Sequence, residues 1–275
     1  MVLAALPGSI SPSRIATFTD CPRMFQYQAI DRLDQPPTIW TLKGTLVHAA
    51  LEGLYATAAG ARSPDVAVAR LHEAATTPEL AAGFEVLALD DAGIAAFIDD
   101  AESLVRNYFK LEDPDAVDAV GVELRLETSL EMGGSLGALP LRGIIDRLDR
   151  DADGNLVVVD YKTGRAPGPG RERSKLAGVE TYALLCERVL GVRPVAVRLL
   201  YLRAPLVVER EVVLSTVTRQ ERRAVAVWQA ITKAHAAGSF RPSPGPLCNY
   251  CAFADRCEGA ALAGVVPRLA PVPSP

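Results

Sequence analysis

The chain has 275 residues, of which 49% are hydrophobic, enough for one large domain with a sizeable core, or for such a domain with a small appendage. A formal net charge of −4 excludes a global attraction to polyanions, so any nucleic-acid binding must come from a local basic groove or from bound metal. The first ten residues carry no basic leader, and no later stretch approaches the roughly eighteen apolar residues of a membrane span, so a soluble cytoplasmic protein with no membrane partner is expected.

Residues 1–10 read as a flexible start. Ser11-Pro12-Ser13 reads as a helix cap, and a helix is expected over residues 14–30, carrying Cys21, Phe25 and Tyr27, until Pro36-Pro37 ends the unit. A second helix is expected over residues 41–58, with amphipathic Ala-rich helices over 65–76 and 91–111, closed by Asp113-Pro114. From residue 119 to 162 the texture changes to β-branched runs with Gly-containing turns, and residues 120–130, 139–149 and 155–163 read as antiparallel strands. A helix over 176–190, strands over 195–202 and 207–214, and a long helix over 217–237 complete an α/β pattern of a central sheet flanked by helices. One domain over residues 11–259 is expected, with a helical part (11–115), a sheet core (116–215) and a C-terminal helix with a cysteine cluster (216–259), followed by a loose tail over 260–275.

The segment GIIDRLDRDADGNLVVVDYKTG carries the chemistry. A turn centred on Asp153 sets a register that places Asp146 opposite Asp160, and strand alternation puts Lys162 on the same face while Tyr161 points away, leaving its backbone carbonyl as a further ligand. Two carboxylates so close repel unless a proton or a divalent cation neutralises them, and oxygen ligands suit Mg²⁺ or Mn²⁺. Such an ion can activate water against a phosphodiester, with Lys162 steadying the developing charge. The bland alternative is a pair of solvated strand ends with a surface lysine. A sharper alternative is a calcium-binding EF-hand loop, whose positions Asp149, Asp151, Asp153, Gly154, Leu156 and Asp160 also fit; β-branched flanks where helices are required count against it. Upstream, Gly44, His48 and Glu52 recur every four residues along one helical face, so His48 could reach a metal held by the sheet and Gly44 could let the helix approach it. The ordinary alternative is a half-buried histidine with a satisfied ring.

Gly44-x3-His48-x2-Leu51-Glu52, Gly143-Ile144-Ile145-Asp146-Arg147 and Asp160-Tyr161-Lys162-Thr163-Gly164 resemble, in order and spacing, the three core motifs of the RecB-like PD-(D/E)xK nucleases. The resemblance implies a restriction-endonuclease-like core with a central mixed sheet. It implies a Mg²⁺- or Mn²⁺-dependent DNA nuclease, an exonuclease on single strands or DNA ends in repair or recombination, with His48, Asp146, Asp160 and the Tyr161 carbonyl as metal ligands. Asp146, Asp160 and Lys162 are then the catalytic set, and Glu52, Glu123 and Tyr182 supporting or DNA-contacting residues. The family's Gln-x3-Tyr motif is incomplete: Tyr182 is present, but Gly178 stands where Gln is expected, with Lys175 and Glu180 as nearby substitutes. That departure favours a second reading, a catalytically weak DNA-binding or scaffold protein. No phosphate-binding helicase loop is present, so unwinding would need a helicase or repair partner.

Cys248-x2-Cys251-x5-Cys257 places three thiols in one short segment after a Pro-rich break, and Cys21 is the natural fourth ligand, whereas Cys186 sits among apolar residues and reads as core. Four thiolates suit tetrahedral zinc or a 4Fe–4S cluster. The same upstream cysteine and downstream triplet resemble the iron–sulfur members of the RecB-like group, including the AddB nuclease domain and CRISPR-associated relatives. That likeness implies a 4Fe–4S cluster tying the N-terminal region to the C-terminal region.

Overall fold

Capping chemistry sets most helix boundaries in the computed structural model, which describes residues 4–133, 137–168 and 172–265. Ser11 caps α1 (Pro12–Asp20), its hydroxyl accepting from the Arg14 N–H, and Pro12 sits in the first turn, where its missing donor costs little. Ordered structure begins slightly earlier: Ile10 is fully buried and its N–H donates to the Pro140 carbonyl at 2.9 Å. The single helix expected over 14–30 is broken at Cys21, which is extended (φ −157°, ψ 107°) because the Pro22 ring disfavours helical geometry in the residue before it. α2 (Pro22–Phe25) restarts the chain and passes into a π-helical turn at Gln26–Ile30. A reciprocal Thr38–Thr41 capping box opens α3 (Ile39–Tyr55), Ser63 caps α4 (Pro64–Ala75), α5 (Pro78–Val86) follows Thr77, and Asp90 caps α6 (Asp91–Tyr108).

Five strands, β1 (Asp118–Glu131), β2 (Ala138–Arg150), β3 (Leu156–Lys162), β4 (Ala196–Tyr201) and β5 (Leu206–Glu211), form one sheet in sequential order. β2 with β3 and β4 with β5 are antiparallel, while β3 and β4 run parallel, a pairing that needs the long crossover through α7 (Glu172–Leu190). The result is a mixed sheet with helices, an α/β fold. α8 (Leu214–Ala236) follows, then 3-10 turns at Pro246–Tyr250 and Ala254–Arg256 and a short α9 (Glu258–Leu262). The expected loose tail thus begins with a helical turn, and residues 266–275 lie outside the described residues.

The chain divides into two units. One falls within Pro37–Thr128 and Leu141–Glu221; its core joins α3, α4 and α6 to β3 and β4 through Leu46, Val47, Leu51, Leu104, Val159 and Leu200, all buried. Each such side chain contributes about 1.5–3 kcal/mol of transfer free energy. The other falls within Met1–Pro36, Ser129–Pro140 and Arg222–Pro275, and there Phe18, Phe25 and Phe240 pack ring against ring with centroids 5.5–6.4 Å apart. Among the described residues no helix is long and apolar enough to cross a membrane.

Candidate active site

The β2–β3 hairpin sets the register of the carboxylates. Arg150 pairs with Leu156, Asp149 with Val157, Leu148 with Val158 and Arg147 with Val159, so the next step of the same ladder sets Asp146 opposite Asp160. Asp151 holds the turn, its Oδ1 accepting from the N–H groups of Asp153 (2.9 Å) and Asn155 (2.8 Å), while Gly154 takes the left-handed conformation at φ 83°. Strands rather than helices flank this loop, and Asp149 and Asp151 are occupied by Arg147 and by the turn itself, so the EF-hand alternative fails. The Tyr161 N–H donates to Asp146 Oδ2 at 2.8 Å, pinning one carboxylate to the partner strand.

Three elements bring ligand atoms together. His48 on α3, Glu123 on β1 and Asp146 on β2 each offer a donor atom, all within 4.8 Å of one another, and His48 Nδ1 lies 3.5 Å from Asp146 Oδ2. Glu123 reaches the cluster from a left-handed backbone (φ 46°), a conformation a non-glycine residue adopts at some cost inside a strand. Asp160 is buried and its Oδ2 ion-pairs with Lys162; among the described residues it stands outside the convergent group of His48, Glu123 and Asp146. Burial, and then the facing Asp160, push the Asp146 carboxyl up to about 6, and burial and then Glu52 raise that of Glu123. Burial alone would depress the Lys162 ammonium, but the Asp160 carboxylate outweighs it and holds the group above its usual value. A histidine with buried carboxylates that repel one another is the donor set a hard divalent cation fits.

The sequence matches the PD-(D/E)XK nuclease superfamily over residues 9–258. The chain belongs to that superfamily. Among solved structures, a protein from Eubacterium rectale described as a candidate exonuclease is similar in fold, with 11% identity over 96% of this chain and 91% of that one and a TM-score of 0.53. The protein designated SSO0001 aligns at 12% identity over 91% of this chain and 86% of that one, with a TM-score of 0.44. No curated protein matches the sequence.

Other residues singled out in this PD-(D/E)XK chain take varied positions. Tyr182 lies near the carboxylates: burial first, then Asp160, Asp146 and Glu123, raise its phenol and keep it protonated. A Cβ at Gly143 would come within 2.8 Å of both the Tyr182 ring and Leu185 Cδ1, so Gly143, rather than Gly44, is the glycine whose bareness admits a helix to the sheet. At Gly44 an added Cβ would make only ordinary contact, 3.7 Å from Thr163 Oγ1. Glu180 does not stand in for the missing Gln, because Arg210 (2.9 Å), Arg219 (3.0 Å) and Gln220 (2.6 Å) occupy its carboxylate; the Lys175 side chain lies outside the described residues. Glu52 is exposed, and its charge raises the Glu123 carboxyl.

On the reverse face of the hairpin lies a network given no role in the sequence analysis. Arg147 is fully buried; its Nη1 reaches the hydroxyls of Tyr55 (2.6 Å), Tyr108 (3.1 Å) and Tyr161 (2.8 Å) and the Glu112 carboxylate, and its Nε and Nη2 donate to Asp149 at 2.7 and 2.8 Å. Strand alternation was the available signal, since Arg147 and Tyr161 each follow a site carboxylate by one residue and must point the other way.

In the other unit Cys21, Cys248, Cys251 and Cys257 are partly exposed thiols, while Cys186 is buried in the sheet-bearing unit and pushed up to about 12 by that burial. The Cys251 thiol is raised by burial and then by the charges of Cys257, Cys21 and Cys248, so each of the other three lies within electrostatic reach of Cys251; among the described residues the four thiols do not converge as closely as His48, Glu123 and Asp146. Arg23 to Glu258 (2.5 Å) and Tyr27 hydroxyl to the Arg256 carbonyl (3.3 Å) bind the segment after Cys21 to the segment around Cys257.

Proposed function

We propose that this chain is a Mg²⁺- or Mn²⁺-dependent deoxyribonuclease of the RecB-like group, acting as an exonuclease on single-stranded DNA or DNA ends in repair or recombination. The observation that carries this reading is the convergence of His48, Glu123 and Asp146, with the buried Asp160 facing Asp146 and Lys162 paired to it. His48, Glu123, Asp146, Asp160 and the Tyr161 carbonyl are the groups that would hold the ion, which supplies Lewis acidity and a more acidic water when bound. Lys162 offers a fixed positive charge to the phosphodiester, and Tyr182, held protonated, offers a hydrogen-bond donor on the same side. The four thiols would hold a 4Fe–4S cluster whose role is to join Cys21 to the C-terminal cysteines, the donor set being all sulfur. Unwinding of duplex ends would fall to a helicase or repair partner.

The unreplaced Gln at Gly178 favours one competing reading, a DNA-binding scaffold of low activity. The test is Mn²⁺-stimulated degradation of an end-labelled single strand by wild type and by Lys162→Ala. Loss of degradation in the variant supports the nuclease; equal, metal-independent behaviour of both supports the scaffold.

A further inference from the structure

Trp40 is the more exposed of the two tryptophans, and it stands next to the end of the sheet that carries Lys162. The indole is 66% exposed at the start of α3, although its neighbours Leu42 and Lys43 are buried. Two cations flank it: Lys43 Nζ lies 5.6 Å and the Arg203 guanidinium 5.9 Å from the ring centroid. One carboxylate serves both, since Asp100 pairs with Lys43 and accepts from Arg203 at 3.0 Å, leaving a surplus positive charge beside the indole. The arrangement is therefore an exposed indole with local positive charge in a chain whose net charge is negative.

Its position follows from the sheet. β3 and β4 run parallel and end together at Lys162 and Tyr201, and the Leu202 N–H donates to the Lys162 carbonyl at 2.9 Å, so Arg203 emerges two residues past the end of β4, beside the strand end that presents Lys162. α3 passes the same end, with Gly44 against Thr163 and His48 at the carboxylate cluster. Trp40 and His48 are two helical turns apart, roughly 12 Å along the axis, a span of a few stacked nucleotides. Ligands of open sheets with parallel strands collect at this end of the strands.

We propose that Trp40 stacks on a base of single-stranded DNA, a few nucleotides from the phosphodiester held at Asp146, Asp160 and Lys162, with Lys43 and Arg203 contributing charge to the same subsite. This inference rests on the nuclease reading for its substrate. A paired base in a duplex has its faces covered by its neighbours, so the contact discriminates single strands from duplex.

The test is fluorescence anisotropy with a short labelled single strand and with a blunt duplex of the same sequence, both in EDTA so that no cleavage occurs, alongside Mn²⁺-dependent kinetics. Trp40→Ala should bind the single strand about tenfold more weakly and raise KM more than it lowers kcat, Trp40→Phe should come within about threefold of wild type, and duplex affinity should hardly move. A melting temperature close to wild type separates lost stacking from lost folding. Equal single-strand affinity in wild type and Trp40→Ala, no single-strand binding by wild type, or an equal loss on duplex would each overturn the proposal. Absence of cleavage by wild type, with the binding pattern intact, would instead sink the nuclease reading and leave the stacking site standing.

Discussion

The carboxylates of Asp146 and Asp160 stand on neighbouring strands of a hydrogen-bonded hairpin, whereas the four cysteines stand at a helix break and among short 3-10 turns. At the first site the backbone ladder, the Tyr161 N–H and the Arg147 network fix the side chains, so that a cation, as proposed, would have only to relieve their charge. At the second, contacts such as Arg23 with Glu258, Tyr27 with Arg256 and the Ser243 N–H with Cys21 bridge the distant segments, and a group bonded to all four sulfurs, as proposed, would supply further order. A site on regular strands is thus preset, whereas a site on turns would depend on its ligand.

The sharpest way to break this comparison is to remove one group from each site. Asp160→Ala should lower cleavage by about 10³ or more while leaving the melting temperature and the colour of the purified protein unchanged. A large loss of stability in that variant would show that the carboxylate pair is structural. Cys21→Ala should do the opposite, losing bound iron and about 2–5 kcal/mol of stability, as Cys251→Ala should too, whereas Cys186→Ala should keep its iron; these outcomes are read by metal analysis and denaturant titration. Full iron content in Cys21→Ala would remove Cys21 from the ligand set.

Two smaller effects sharpen the picture of a preset site. Gly143→Ala forces a methyl against Tyr182 and Leu185 and should cost about 1–3 kcal/mol, seen as a lower unfolding midpoint with the same slope. The Asp146 carboxyl, held at about 6 against an ordinary 3.8, binds its proton more tightly in the folded chain than in the unfolded one. Stability of the metal-free protein should therefore fall as pH rises from about 4 through 6. Mn²⁺ competes with that proton, so its affinity should weaken roughly tenfold per pH unit below 6, with proton release detectable by calorimetry in buffers of different ionisation heat. An affinity flat between pH 5 and 7 would mean that Asp146 is not the proton-linked group.

Much of the hairpin was legible because strand parity and a centred Asp-Gly turn leave one register compatible with a buried face, and that register is the one formed. Glu123 was harder to place, since its left-handed backbone re-aims a side chain that alternation alone cannot orient. The break at Cys21 was written in Pro22 but masked by the helical pattern on either side, and α5 was too short for its periodicity to register. Trp40 gave no signal at all, because an exposed aromatic becomes informative only when the cations around it, one of them more than a hundred and fifty residues away, are seen in space.

The unit that holds the cysteines is assembled from three stretches, one at the start of the chain, one in the middle and one near the end. During synthesis the residues between Pro37 and Glu221 emerge as a set that can close its own core, while Cys21 waits for partners made more than two hundred residues later. Contacts so distant in sequence form late, since the entropy of closing the intervening chain must first be overcome. Maturation of the protein therefore runs against the order of its sequence: the first cysteine translated is among the last residues to find its place.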